Sequence, residues 1–237
     1  MKHRSLMALR DFTVLTFDCY GTLIDWETGI LAAMYPVLEN HNIVASSGDI
    51  LHAYARAESA VQSGAFVNYR EVLRRTVSAM SHDLGFSLAL DEGEVLLRSL
   101  PSWRPFPDSV SALAQLASRR RLGLISNVDD GLLRSSLTQL QHPFSFVVTS
   151  ERARAYKPDE RPFALACQEA QCAASQILHV AQSGYHDLVT ASRLGFGTVH
   201  VRRGSRASGE RATLPANERA DASVDTLAEL VELLGLE

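Results

Sequence analysis

The stretch Thr13-Val14-Leu15-Thr16-Phe17-Asp18-Cys19-Tyr20-Gly21-Thr22-Leu23 starts as an apolar, β-rich run and stops abruptly at a carboxylate, after which the chain turns at glycine. Four more short apolar runs follow, at residues 122–126, 146–149, 177–181 and 197–201. Segments of helical periodicity separate them, at 109–118, 131–140, 162–170 and 187–194. Strands that are nearly continuous in apolar residues and alternate with helices make a parallel sheet covered on both faces. The expected fold is therefore α/β, a doubly wound parallel sheet.

The alternation lapses between the first two strands. Helical patterns at 51–60 and 69–80 follow one another with no strand candidate between them. We read residues 27–100 as a helical cap inserted after the first strand, with 1–26 and 101–237 forming the α/β core. Pro101, Pro105 and Pro107 prevent helix continuation and mark the return to the core, a suitable place for a hinge. Residues 204–217, rich in Arg, Ser, Gly and Ala, read as a surface loop before a last amphipathic helix at 224–234. A length of 237 residues suits one buried core with an appendage better than two full domains.

Hydrophobic residues make up 46% and charged residues 21% of the chain, with a net charge of -4, so it lacks the basic excess that draws a protein to nucleic acid or anionic lipid. The expected partner is a small molecule. Cys19, Cys167 and Cys172 are too few and too unevenly spaced for a disulfide framework or a zinc site. The first residues lack the apolar run of a signal peptide, and no stretch is apolar for the length of a bilayer. The expected location is the cytoplasm, and a homodimer is the default expectation for a soluble enzyme.

In open α/β sheets, ligands bind beyond the carboxyl ends of the strands. Polar residues occupy those places here: Asp18, then Ser126 and Asn127, then Lys157, then Asp187. Asp18 by itself reads equally well as a turn cap and as a nucleophile. A lysine brought beside it would keep the carboxylate ionised and reactive near neutral pH.

Together Phe17-Asp18-Cys19-Tyr20-Gly21-Thr22-Leu23, Ile125-Ser126-Asn127, Tyr156-Lys157-Pro158-Asp159 and Asp187 resemble the four ordered motifs of the haloacid dehalogenase superfamily. The resemblance spans nearly the whole chain, helical cap included. It implies that Asp18 forms a covalent ester with substrate, that Thr22 and Ser126 position reacting groups, and that Lys157 pairs with Asp18.

Within the superfamily, phosphatases carry a second Asp two positions after the nucleophile, as general acid for the leaving alcohol; this chain has Tyr20. A phenol with an ordinary pKa of ~10 is a poor proton donor at neutral pH, whereas halide needs no proton to leave. Phosphatases also hold magnesium with acids in the fourth motif, which usually begins Gly-Asp. Here those positions are Ala181-Gln182, and Asp187 is the one acid of the stretch. The pattern resembles the type II branch, the (S)-2-haloacid dehalogenases, and implies a hydrolase with no metal and no cofactor. It departs from that branch at Gln182 and Gly184, where Ser and Asn are usual, and at Phe163, where Tyr is usual. The network around Asp187 is therefore expected to differ, with His186 either a partial substitute or purely structural.

For substrate binding, the expected residues are Cys19, Tyr20 and Asn127 near the nucleophile and, from the cap, Arg56, whose fork of donors suits a carboxylate. Arg56 also reads as a solvated residue near Glu58, and Arg70 and Arg104 compete with it. Trp26, Phe66, Trp103 and Phe106 are candidates for an apolar pocket wall. The reaction expected is displacement of halide from a small 2-haloalkanoic acid by Asp18, then hydrolysis of the ester to a 2-hydroxy acid. The alternatives are hydrolysis of another carbon-heteroatom bond, such as that of a strained cyclic amino acid, a magnesium-dependent phosphatase, and a binding module without turnover.

Overall fold

The computed structural model describes residues 6–141, 143–203, 211–216 and 219–236. Its strands are β1 (Val14–Phe17), β2 (Arg121–Ser126), β3 (Phe146–Thr149), β4 (Ile177–Ala181), β5 (Gly197–Val201) and β6 (Ala222–Val224). Its helices are α1 (Leu6–Leu9), α2 (Trp26–Asn40), α3 (Ser47–Gln62), α4 (Tyr69–Leu84), α5 (Val95–Ser99), α6 (Ser109–Ala117), α7 (Asp130–Gln139), α8 (Ser150–Ala153), α9 (Arg161–Ala170), α10 (Val189–Arg193) and α11 (Leu227–Leu233). The six strands form one sheet in the order β3-β2-β1-β4-β5-β6, and every neighbouring pair is parallel.

Alternation along the strands builds a core on each face. Leu15, Phe17, Leu122, Leu124, Leu178 and Val180 point to the side packed by α6 and α11, while Val14, Ile125, Phe146, Val148 and Ile177 meet Phe163 and Ala166 of α9. Strands buried on both faces have no polar side to display, which explains their apolar composition. Two readings of the sequence change. The segment at 224–234 is split into the short edge strand β6 and helix α11, and the segment at 187–194 starts earlier, as a π turn (Gly184–Leu188) that runs into α10. Residues 204–210 and 217 of the expected loop lie outside the described residues, while Arg211–Ala216 are described and Ala212 is buried.

Helices α2 to α5 stand between β1 and the core helix α6. Sequence-local capping sets their starts: Asp25 accepts from Thr28 N at α2, Ser46 and Asp49 form a reciprocal capping box at α3, and Asn68 accepts from Glu71 N at α4. A core side chain also reaches α4, because Asp129, just after β2, accepts from Tyr69 N at 2.7 Å and Arg70 N at 3.0 Å. A carboxylate on a helix N-terminus satisfies free N-H groups and opposes the positive end of the dipole. This contact and the Tyr156 hydroxyl donating to Val67 O tie the helical insertion to the loops that carry the site.

Gly29 in α2 allows Trp103, at the return to the core, to lie against the helix. A Cβ there would stand 2.3 Å from Trp103 Cδ1, and Trp103 in turn meets the Tyr20 ring edge-on at 5.8 Å. Alanine would gain about 1 kcal/mol in helix propensity but overpack at a cost of about 1–3 kcal/mol. Gly29→Ala is expected to lower the denaturant midpoint, with a net loss of up to about 2 kcal/mol; a raised midpoint would mean that Trp103 repacks freely.

Candidate active site

β1 lies between β2 and β4 at the centre of the sheet, where the order of strands reverses, and a crevice opens at such a switch point beyond the carboxyl ends of the strands. Phe17 pairs with Leu124 and Val180, and Asp18 N donates to Val180 O at 3.1 Å, so the Asp18 side chain leaves the sheet at that crevice. The chain then folds back: Gly21 N donates to Ile24 O, and Leu23 N and Ile24 N both donate to Cys19 O. Gly21 holds φ at 94°, in the left-handed region that glycine enters without steric cost. The turn brings Thr22 back under Asp18, where its hydroxyl donates to Asp18 Oδ2 at 2.7 Å and accepts from Gln182 N at 2.9 Å.

Lys157 is buried with all three ammonium protons used. Nζ lies 2.8 Å from Asp18 Oδ1, 2.6 Å from Asp187 Oδ1 and 2.9 Å from Ile125 O. Asn127 fixes the lysine backbone, accepting from Lys157 N at 2.7 Å and donating to Lys157 O at 3.0 Å. Burial opposes the charge of Lys157, but Asp18 and Asp187 outweigh it and raise its pKa above the usual 10.5. Burial also opposes the charge of Asp187, yet Lys157 and His179 hold it down at about 2. Asp18 moves the other way: burial, aided by the nearby Asp187 charge, raises it despite Lys157 and Thr22. The two carboxylates share one ammonium and shift in opposite directions.

His179 explains that asymmetry. It sits in the middle of β4, buried, with Nε2 2.9 Å from Asp187 Oδ1 and Nδ1 2.9 Å from Thr16 Oγ1. An ionised carboxylate only accepts, so Nε2 donates. The sequence reading passed over His179. The available signal was a polar residue inside an otherwise apolar strand, which burial requires to be paired.

A narrow cavity at this point is lined by Asp18, Tyr20, Trp26, Ser126, Lys157 and Asp187 from the core side and by Glu58, Gln62 and Tyr69 from α3 and α4, with Asn127, Ser183, His186 and Thr213 completing the wall. Four buried polar atoms of its lining have no partner: Ser126 Oγ, Asp187 Oδ2, His186 Nε2 and Gln62 Nε2. Unsatisfied polar atoms are costly in a folded interior, and their convergence on one cavity marks a place built for a ligand or water. Burial lowers the His186 pKa to about 4, so the imidazole is neutral at neutral pH.

Of the residues expected from sequence, Asp18, Tyr20, Ser126, Asn127, Lys157 and Asp187 line this cavity, and Thr22 stands directly behind Asp18. Two expectations are corrected. Arg56 faces outward from α3 and pairs with Asp83 at 3.0 Å with most of its side chain in solvent, because it falls on the opposite face of the helix from Leu51, Tyr54 and Glu58. Cys19 points into the apolar core, where burial raises its thiol pKa well above 9.0, so its side chain does not line the cavity. Arg70 and Arg104 are likewise exposed. Among the four aromatic candidates, Trp26 alone lines the cavity; Phe66 stacks on Tyr156, Phe106 carries Arg203, and Trp103 supports Tyr20.

The donor set does not fit a magnesium ion. Lys157 Nζ occupies the space between Asp18 Oδ1 and Asp187 Oδ1, Gln182 stands where a phosphatase would have its further acid, and no group of three or more His, Cys, Asp or Glu side chains among the described residues is arranged to hold a metal.

A family model of haloacid dehalogenase-like hydrolases matches residues 12–195, from the start of β1 to just before β5. The chain belongs to this hydrolase family. As a family member it is an enzyme, and its sheet, strand order and crevice are those of a haloacid dehalogenase-like α/β core. An (S)-2-haloacid dehalogenase of Pseudomonas sp. (strain CBS-3) is 22% identical over 224 residues, 92% of this chain and 94% of the relative. A glyceraldehyde 3-phosphate phosphatase of Methanothermobacter thermautotrophicus is 30% identical over 134 residues, 55% of this chain and 59% of that protein. The structure of an L-2-haloacid dehalogenase from Xanthobacter autotrophicus with chloropropionic acid covalently bound superposes with a TM-score of 0.78 at 19% identity, covering 94% of this chain and 98% of the other. No helix among the described residues of this family member is long and apolar enough to cross a membrane.

Proposed function

We propose that the chain hydrolyses the carbon-halogen bond of a small 2-haloalkanoic acid, through an ester on Asp18 and without a metal ion. The observation that carries this reading is Tyr20 in the cavity wall two positions after Asp18, a phenol where a phosphatase of the family would place the carboxylic acid that protonates its leaving group. Residues 27–100 act as the cap that closes the crevice over the substrate.

Asp18 attacks the halogen-bearing carbon; a carbon-oxygen bond forms as the carbon-halogen bond breaks, and halide leaves with the bonding pair. Tyr20 is not asked to protonate the leaving group, which suits a phenol whose pKa burial pushes well above 10.0. Ser126 and the backbone after Asp18 hold the substrate carboxylate. A water then adds at the Asp18 carboxyl carbon. One of its protons passes by way of Asp187 Oδ2, the partnerless carboxylate oxygen of the cavity, to the departing alkoxide. The other is released as Asp18 ionises, so each turnover yields one 2-hydroxy acid, one halide and one proton. Neutral His186 also presents Nε2 to this water.

Halide release from 2-chloropropionate, measured beside phosphate release from a general phosphate ester, tests the reading. The expected result is halide release unchanged by a chelator and no phosphate release. Chelator-sensitive phosphate release without halide would replace the proposal by a phosphatase, despite the donor set described above.

A further inference from the structure

Glu58 is the acid of the cavity lining that the proposed reaction leaves unused. It stands on α3 among Leu51, Tyr54 and Ala55, on the face that packs inward, and is 3% exposed. Tyr69 donates to Glu58 Oε1 at 2.6 Å and Tyr54 lies 3.0 Å from the same oxygen, with the two phenol oxygens 3.1 Å apart. Tyr54 also packs edge-on against Trp26 at 5.3 Å, so the carboxyl is gripped by a rigid aromatic pair. Both phenols bind Oε1, and the group lines the same cavity as Asp18.

This changes the charge that a substrate meets. The lining holds three acids, Asp18, Glu58 and Asp187, against one lysine that already serves two of them. Among the described residues no arginine lines the cavity, since Arg56, Arg70 and Arg104 stay outside. A buried acid is retained at a cost unless it meets a donor or a positive charge. The two phenols satisfy Oε1, and no hydrogen bond from the described residues reaches Oε2.

We propose that Glu58 is a specificity-determining residue that receives a nitrogen-borne donor, an ammonium or N-H group, on the substrate. On the reading of the site given above, from which this inference starts, the preferred substrate is then an amino-bearing haloacid, its carboxylate on the Ser126 side and its nitrogen toward the cap. Burial and the nearby Asp18 charge raise the Glu58 pKa to about 7, against the pull of the phenols, so a positive group entering beside it would recover charge-charge attraction that water cannot supply there.

Binding of propionate, L-alanine and 3-aminopropionate, followed by calorimetry on the wild type and on Glu58→Gln, tests this without any bond being broken. At least one amino acid is expected to bind the wild type about tenfold or more tightly than propionate, and Glu58→Gln is expected to erase that preference. Equal affinities in the wild type, whether all three ligands bind or none does, overturn the inference, as does a preference that survives in Glu58→Gln. The wild-type comparison stands even where the variant folds poorly. Halide release from 2-chloropropionate and from 3-amino-2-chloropropionate separates the two readings. Preference for the amino ligand with no halide from either substrate sinks the carbon-halogen reading alone, whereas halide release with no binding preference sinks the role of Glu58 alone.

Discussion

Asp18→Asn is expected to abolish halide release from 2-chloropropionate, by about ten-thousandfold or more, because in the proposed reaction the carbon-oxygen bond that displaces halide is formed by that carboxylate. The substitution keeps the size of the side chain and the Thr22 contact but removes the charge that Lys157 faces across 2.8 Å. Acid-quenched wild type, mixed with substrate, is expected to show a mass increase on the peptide that carries Asp18, absent from the variant. In a single turnover in heavy-oxygen water, the hydroxyl oxygen of the product should come from Asp18 and the solvent oxygen should remain on the protein. A product hydroxyl carrying solvent oxygen would mean direct attack by water, and Asp18 would become a positioning residue at most.

Lys157→Met is expected to damage stability as well as turnover. The variant fills most of the same volume but leaves Asp18 and Asp187 buried side by side without their common cation. Breaking a buried pair in this way costs about 3–5 kcal/mol, and losing one preorganised donor at a reacting centre costs about a hundredfold to a thousandfold in rate. Denaturant midpoints against pH give the sign. In the wild type Asp187 is depressed from 3.8 to about 2, so its contribution is present above pH 3.8 and is lost as pH falls through 2. In the variant the depression is largely removed, and protonation relieves the repulsion between the two acids. The destabilisation of Lys157→Met should therefore shrink as pH falls from neutral into the carboxylate range. A constant difference would show that lost packing, not unpaired charge, dominates.

The rate should also fall on the acid side as Asp18 takes up its proton, at a pH above the ordinary carboxylate range, since burial raises that group. The proposed mechanism uses the opposite shifts of Asp18 and Asp187. Asp187 is held ionised by two donors, Lys157 and His179, and in the proposed reaction Asp18 is the carboxylate left to attack.

Much of this was legible in the chain. Each of β1 to β5 was recognisable because a strand buried on both faces must be apolar along its length, and polar residues just beyond such runs fall at the crevice by the geometry of a parallel sheet. That logic identified Asp18, Ser126, Asn127, Lys157 and Asp187 without coordinates. It does not separate the inward and outward faces of α3 for single charged residues, so it points to Arg56 and leaves Glu58 as no more than a neighbour. The repeat Leu51, Tyr54, Ala55 and Glu58, spaced by three and four residues, held the answer, but an acid on that face is meaningful only once Tyr69 from another helix is seen to hold it.

The order of motifs along the chain determined the fold class and the family and put Asp18 at the end of the first strand, because each depends on local pattern and on strand ends. Tertiary structure alone decided that one ammonium bridges two acids, that His179 stands behind Asp187, that Cys19 turns into the core, and that α3 presents a carboxyl to the cavity instead of a guanidinium. These are properties of distance and burial between residues as far as 139 positions apart, and no local propensity encodes the dielectric or the neighbour that a side chain meets there.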